Sequence, residues 1–97
     1  MATHAVLTVS TTSNPLLPNN ASHAASVRLY SPNTTGTVTG TLAFVDGPLS
    51  YPMGAFSIDA KGTVILELAL DLSENQNVTI ALDAAPTTQL SCFTTYR

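Results

Sequence analysis

Charge is what this chain has least of. Only 9% of its 97 residues are Asp, Glu, Lys or Arg, against about a quarter in ordinary globular domains. Three Lys+Arg stand against six Asp+Glu, a formal net charge of −3. That balance excludes a protein that neutralises nucleic-acid phosphates, which needs a clustered positive surface. Tryptophan is absent and Cys92 is the sole cysteine. No disulfide can therefore close within the chain, and stability must come from packing, a metal or association. No window approaches the roughly 18 consecutive apolar residues of a membrane-spanning helix, so no membrane partner is expected. The opening Met1-Ala2-Thr3-His4-Ala5-Val6 has no basic segment followed by an apolar stretch, so a secretory leader is not expected and synthesis in a cytoplasm is.

What is present is Thr, Ser and Asn in place of charge, and a hydrophobic fraction of 44%, too high for disorder. A chain of this length makes one domain with a modest core. Its hydrophobic period is two. Val64, Leu66, Leu68 and Leu70 alternate with Thr63, Ile65, Glu67 and Ala69. Val78, Ile80 and Leu82 alternate with Thr79, Ala81 and Asp83, while Val38, Leu42 and Phe44 share one face. Such alternation, rich in Thr and β-branched residues, marks half-buried strands. No stretch carries a 3.6-residue stripe.

Turn residues punctuate these runs: Asn14-Pro15, Pro18-Asn19-Asn20, Pro32 to Gly36, Asp46-Gly47-Pro48, Lys61-Gly62 and Ala84-Ala85-Pro86. The spacing is that of a sandwich or barrel. Strands are expected over Ala5–Thr11, Ser26–Ser31, Thr37–Val45, Ala55–Asp59, Gly62–Leu70, Asn77–Asp83 and Thr88–Tyr96. One sheet of these could not hide both faces, whereas two sheets face to face can. The expected fold is thus all-β, a single-domain antiparallel β-sandwich of about seven strands, Ig-like or jelly-roll-like. Residues 1–25 are expected to be an N-terminal strand or arm with a long Pro/Asn loop, and residues 26–97 the sandwich body. Two readings of Thr12–Ala25 stand side by side: Pro15, Leu16, Leu17 and Pro18 exposed as an arm laid on a neighbour, or a loop capping its own core.

Reactive groupings are sparse. Cys92 would need His4 or His23 beside it to act as a nucleophile, but it shares strand parity with Leu90 and reads as a small core residue. The two histidines have no C-x-x-C or H-x-x-x-H partners, so neither a zinc site nor any other cofactor is expected. Asp71, Ser73, Asn75 and Asn77 alternate like calcium ligands. Gln76 and Leu82 occupy the positions where a calcium loop needs Gly and a carboxylate, so a polar turn is the simpler account. The six acids read as solubilising charges rather than a catalytic pair. Tyr51, in an expected loop over Gly47–Met53, is the one aromatic placed to meet a sugar, whereas Tyr30, Phe93 and Tyr96 read as cross-strand packing partners. Three N-x-S/T triplets begin at Asn20, Asn33 and Asn77; in so Ser-, Thr- and Asn-rich a chain, chance explains them.

From Ser26 to Tyr96 the order of features resembles a small β-sandwich of tailed-phage virion proteins. Val27-Arg28-Leu29-Tyr30-Ser31 precedes a Pro/Asn/Thr/Gly turn, and a Val/Thr strand then ends in Val45-Asp46-Gly47. Next come Phe56-Ser57-Ile58-Asp59, the turn Ala60-Lys61-Gly62-Thr63 and the alternating run Val64 to Leu70. Members commonly carry Leu-x-x-Gly after that run; this chain reads Leu72-Ser73-Glu74-Asn75. The resemblance implies a non-enzymatic virion part: a head decoration (cement) protein, or a head-fibre, neck or tail accessory.

Charged residues are how exposed sheet edges are normally blunted, and Lys61 is the only lysine. Strands such as Thr34–Thr41 would be sticky at an open edge, so some of this surface is expected to be covered in use. The leading expectation is a phage capsid decoration protein on the virion surface, a homotrimer clamping the major capsid protein or another virion protein. Its expected contact residues are Thr3, Val6, Leu7 and Val9 of the arm with Pro15, Leu16, Leu17, Pro18 and Asn19, and a loop set of Asp46, Leu49 and Tyr51. The alternative from another class is an adhesion or carbohydrate-binding module, with Asp46 and Tyr51 on the sugar.

Overall fold

The computed structural model describes residues 1–97 and consists of strands and turns, with no helix. Eight strands follow in order: β1 (Ala2–Thr8), β2 (Asn14–Pro15), β3 (His23–Tyr30), β4 (Val38–Asp46), β5 (Leu49–Ile58), β6 (Thr63–Asp71), β7 (Gln76–Leu82) and β8 (Leu90–Tyr96). They form two four-stranded antiparallel sheets, β1-β8-β3-β6 and β2-β7-β4-β5. The pairs β1–β8, β2–β7, β3–β6 and β4–β5 describe one long hairpin rolled on itself. That is the jelly-roll arrangement rather than the immunoglobulin one.

The alternation read from the sequence places the core. Val78, Ile80 and Leu82 of β7, Val38 and Leu42 of β4, and Leu90 and Cys92 of β8 point between the sheets and are buried. Val27 and Leu29 of β3 meet them, with Phe56 and Ile58 of β5. Gly40 is required here: a Cβ on it would lie 2.7 Å from the Phe56 ring and closer still to the Ala81 carbonyl. The aromatic ring fills the space that a side chain on β4 would take.

Several elements depart from the sequence expectation. There are eight strands, not about seven, because Asn14–Pro15 pairs with Ile80 and Thr79 inside the long connection; two residues, one a proline, give no readable alternation. β1 begins and ends three residues earlier than expected. It stops at Thr8 because the Thr8 hydroxyl accepts hydrogen bonds from the Ser10 N–H (3.1 Å) and from Asn14 Nδ2 (2.7 Å), which turns the chain. β5 reaches back to Leu49, so the expected Gly47–Met53 loop is instead half of a hairpin. Gly47-Pro48 closes it in two residues: Gly47 supplies a positive φ of 59° and the proline ring holds the next φ negative. Of Thr34–Thr41, Val38–Thr41 belongs to β4, which lies between β7 and β5 and is not an edge, and Thr34–Thr37 lies in the turn before it. Asn75, standing where a glycine is common, adopts φ 65°, a conformation that Asn tolerates better than most residues.

Residues 1–25 share the sheet and the core of residues 26–97. β1 pairs with β8 along all seven residues, and Leu16, Leu17 and Ala21 belong to the same buried cluster as the strands.

Candidate functional site: an unguarded sheet edge

A β-sandwich has four edge strands, and each leaves a row of backbone N–H and C=O groups unpaired unless something blunts it. Three of the four are blunted here. β2 is two residues long. β5 carries Pro52 and a bulge at Met53, where Leu42 faces Gly54 but Ala43 already faces Pro52. β6 has Glu67 at its middle, Asp71 at its end and a bulge across Leu68–Ala69, where Ala69 is turned to φ 50°.

β1 has none of these devices. Its seven residues, Ala2-Thr3-His4-Ala5-Val6-Leu7-Thr8, contain no proline, no Asp, Glu, Lys or Arg, and pair with β8 in unbroken register. No turn or loop hydrogen bond within the protein reaches the backbone of Ala2–Leu7 from the open side. This is a seven-residue edge with no bulge, proline, Asp, Glu, Lys or Arg in a chain that guards its other three.

The outer face of the same sheet continues the surface. Register places Ala5, Phe93, Arg28 and Ile65 in one row across β1, β8, β3 and β6. Thr3, Thr95, Ser26 and Glu67 form the row beside it, and Leu7, Ser91, Tyr30 and Thr63 the row on the other side. Leu7 is 61% exposed, Ile65 60% and Phe93 40%. Thr3, Ser26, Arg28, Ile65, Phe93 and Thr95 line a shallow depression there. Phe93 is therefore a surface residue rather than a packing partner. Its parity, opposite to that of Leu90 and Cys92, was the available signal.

The expected contact residues divide sharply. Thr3 and Leu7 face outward on β1, whereas Val6 packs against the core and Val9 lies half-buried beyond the strand. Pro15 and Asn19 are exposed and Pro18 is half-buried, but Leu16 and Leu17 are core residues, 0% and 3% exposed. Of the two readings of Thr12–Ala25, the structure shows the loop that caps its own core, and Leu16 and Leu17 are corrected from contact residues to core residues. Asn77 holds the loop there: the Leu17 N–H donates to Asn77 Oδ1 (3.2 Å) and Asn77 Nδ2 donates to the Leu17 carbonyl (2.9 Å). The Leu16 N–H adds a bond to the Val78 carbonyl at 2.8 Å. Asp46, Leu49 and Tyr51 are exposed but sit on the β4–β5 hairpin rather than a loop, with the Tyr51 ring tilted beside Phe44 at 6.3 Å between centroids.

The same bookkeeping settles two of the N-x-S/T triplets. Asn33 is buried; its amide donates to the Ser31 hydroxyl and the Thr88 carbonyl and accepts from the Thr88 N–H at 2.8 Å. Asn77 is committed to Leu17 and, through the same Oδ1, to its neighbour Val78. Only Asn20 has its side chain in solvent.

The reactive groups do not converge. Cys92 is fully buried, and burial pushes its thiol up to about 11, so at neutral pH it is a protonated, shielded group. Neither histidine hydrogen-bonds it; His23 Nδ1 instead meets Asp71 Oδ1 at 2.9 Å. No three His, Cys, Asp or Glu side chains come together in a metal-binding group.

The sequence matches no protein-family model and no curated protein. Solved structures share the architecture. PirA superposes with a TM-score of 0.54 at 13% identity, covering 98% of this chain and 93% of that one. A protein of the Bacillus endospore appendages, described as disulfide-linked pili, gives 0.52 at 18% identity over 96% and 83% of the two chains. A looser likeness, TM-score 0.43 at 10% identity over 96% and 85%, runs to the coat protein of tobacco streak virus. For the first two, at such identities, the shared property is the β-sandwich fold.

Proposed function

We propose that this chain is a structural subunit that works by contact, not catalysis, in a larger assembly such as a virion or an extracellular surface structure. The observation that carries the reading is the single unguarded edge, β1, beside an outer face that exposes Leu7, Phe93 and Ile65. Natural sheets spend charge, proline and bulges to prevent edge pairing. A protein that does so on three edges and omits it on the fourth uses the fourth. The sandwich architecture is shared with a pilus-forming protein, and the lone, buried Cys92 offers no accessible thiol for a disulfide between subunits.

In its finer form the proposal is a decoration (cement) protein on a tailed-phage capsid, clamping major capsid subunits. The virion-like order of motifs from Ser26 to Tyr96 and the low charge support it. Assembly would also supply stability by mass action that a small disulfide-free core lacks. Purified chain mixed with phage shells stripped of accessory proteins should bind and raise the shell melting temperature. Absence of binding at micromolar concentration would reject the capsid form.

A further inference from the structure

We propose that β1 is a two-fold interface: a second copy of this chain adds its own β1 antiparallel to it, centred on Ala5, and two four-stranded sheets become one of eight strands. The inference rests on the reading of the chain as an assembly subunit and names its first partner.

Self-complementarity of the strand supports this occupant. Ala5 is the midpoint of Ala2–Thr8, so a centred antiparallel pairing engages all seven residues of both copies. Ala5 then meets Ala5 of the partner subunit, Thr3 meets Leu7 of the partner subunit, and His4 meets Val6 of the partner subunit. No charged pair is opposed. The smallest side chain stands at the dyad, where two outward-facing residues must share one position. On either side of it Leu7 and Phe93 add apolar surface to the backbone ladder.

The opposite edge of the same sheet shows what refusal of this pairing looks like. The midpoint of Thr63–Asp71 is Glu67, so self-pairing of β6 would set two carboxylates directly opposite, which is destabilising. Beyond Glu67 its regular register ends at the bulge. A two-fold contact needs only one self-complementary edge, whereas a closed ring of three needs two different edges that fit each other. Only one edge here is open, so the pairing is two-fold rather than the three-fold arrangement expected from the sequence.

Sedimentation of the full chain over a concentration series should show a monomer–dimer equilibrium. Ala5→Lys sets like charges across the dyad and should weaken dimerisation by about ten-fold or more, while the circular dichroism of the dilute chain stays unchanged. Ala5→Cys gives a check independent of affinity. Opposed antiparallel residues have Cα atoms about 4.5–5.5 Å apart, within disulfide range, so mild oxidation should yield a covalent dimer. Ile65→Cys on β6, also exposed, should not, and the buried Cys92 does not compete. A chain that stays monomeric, a discrete trimer, open filaments, or equal cross-linking of the two cysteine variants would each overturn the two-fold edge. A dimer that binds no shell would remove the capsid reading and leave this interface standing; a monomer that binds shells would do the reverse.

Discussion

Two stretches near the start of the chain, Ala2–Thr8 and Pro15–Ala21, carry comparable apolar content and meet opposite fates. The second is drawn inward: Leu16 and Leu17 are buried, the backbone of Leu16 finds Val78 and that of Leu17 finds Asn77. The first is held on one side only, by β8, and its open side finds no partner within the protein. The difference lies less in hydrophobicity than in hydrogen-bond supply. A segment can bury its side chains only if its backbone polar groups are met, because an unmet buried N–H or C=O costs about 1–3 kcal/mol. Asn77 meets both groups of Leu17; nothing comparable stands beside β1.

That contrast can be broken at its strongest point first. Leu16→Ala should lower unfolding free energy by about 2–5 kcal/mol in chemical denaturation, since it empties a fully enclosed core site. If Leu16 were a partner-facing residue, the loss would fall on binding and spare stability. Asn77→Ala should cost about 1–3 kcal/mol by releasing both backbone groups of Leu17, and hydrogen exchange at Leu17 should accelerate with it. The buried flank of β1 offers a change of opposite sign. Thr94, opposite His4, has a buried hydroxyl without a hydrogen-bond partner. Thr94→Val removes that group at constant shape and should stabilise the protein by about 1 kcal/mol, read as a higher denaturation midpoint with unchanged slope. Leu7→Ser, on the open flank, should shift stability by less than about 0.5 kcal/mol. Self-association, followed by sedimentation, should weaken in the same variant, which separates the two roles of the strand.

Much of the fold was legible because strand parity is local. The inward faces of β4, β6, β7 and β8 follow from alternation at Val38–Phe44, Val64–Leu70, Val78–Leu82 and Leu90–Cys92, and the structure buries the sides so read. What misled was the neighbourhood of proline and glycine. Gly47-Pro48 looks like the start of a loop and is a tight hairpin turn, which turns the expected loop position of Tyr51 into a strand position. Pro15 and Pro18 bracket Leu16-Leu17 as though to display them, while the residue that pulls them in lies sixty positions away. The candidate site was half legible. Thr3 and Leu7 were expected at an interface, but Phe93 and Ile65 join them only once β8, β3 and β6 are set side by side.

The amino-acid order by itself determined that this is a lightly charged, disulfide-free, all-β domain with alternating faces, because those properties depend on composition and on neighbours one or two residues apart. Which strands became edges was decided only by the rolled topology, since edge status depends on what lies on the far side of a strand. The same holds for the choice of β1 as the one edge left open. Guarding is a comparison among all four edges, and no stretch of chain contains that comparison until the sheets have formed.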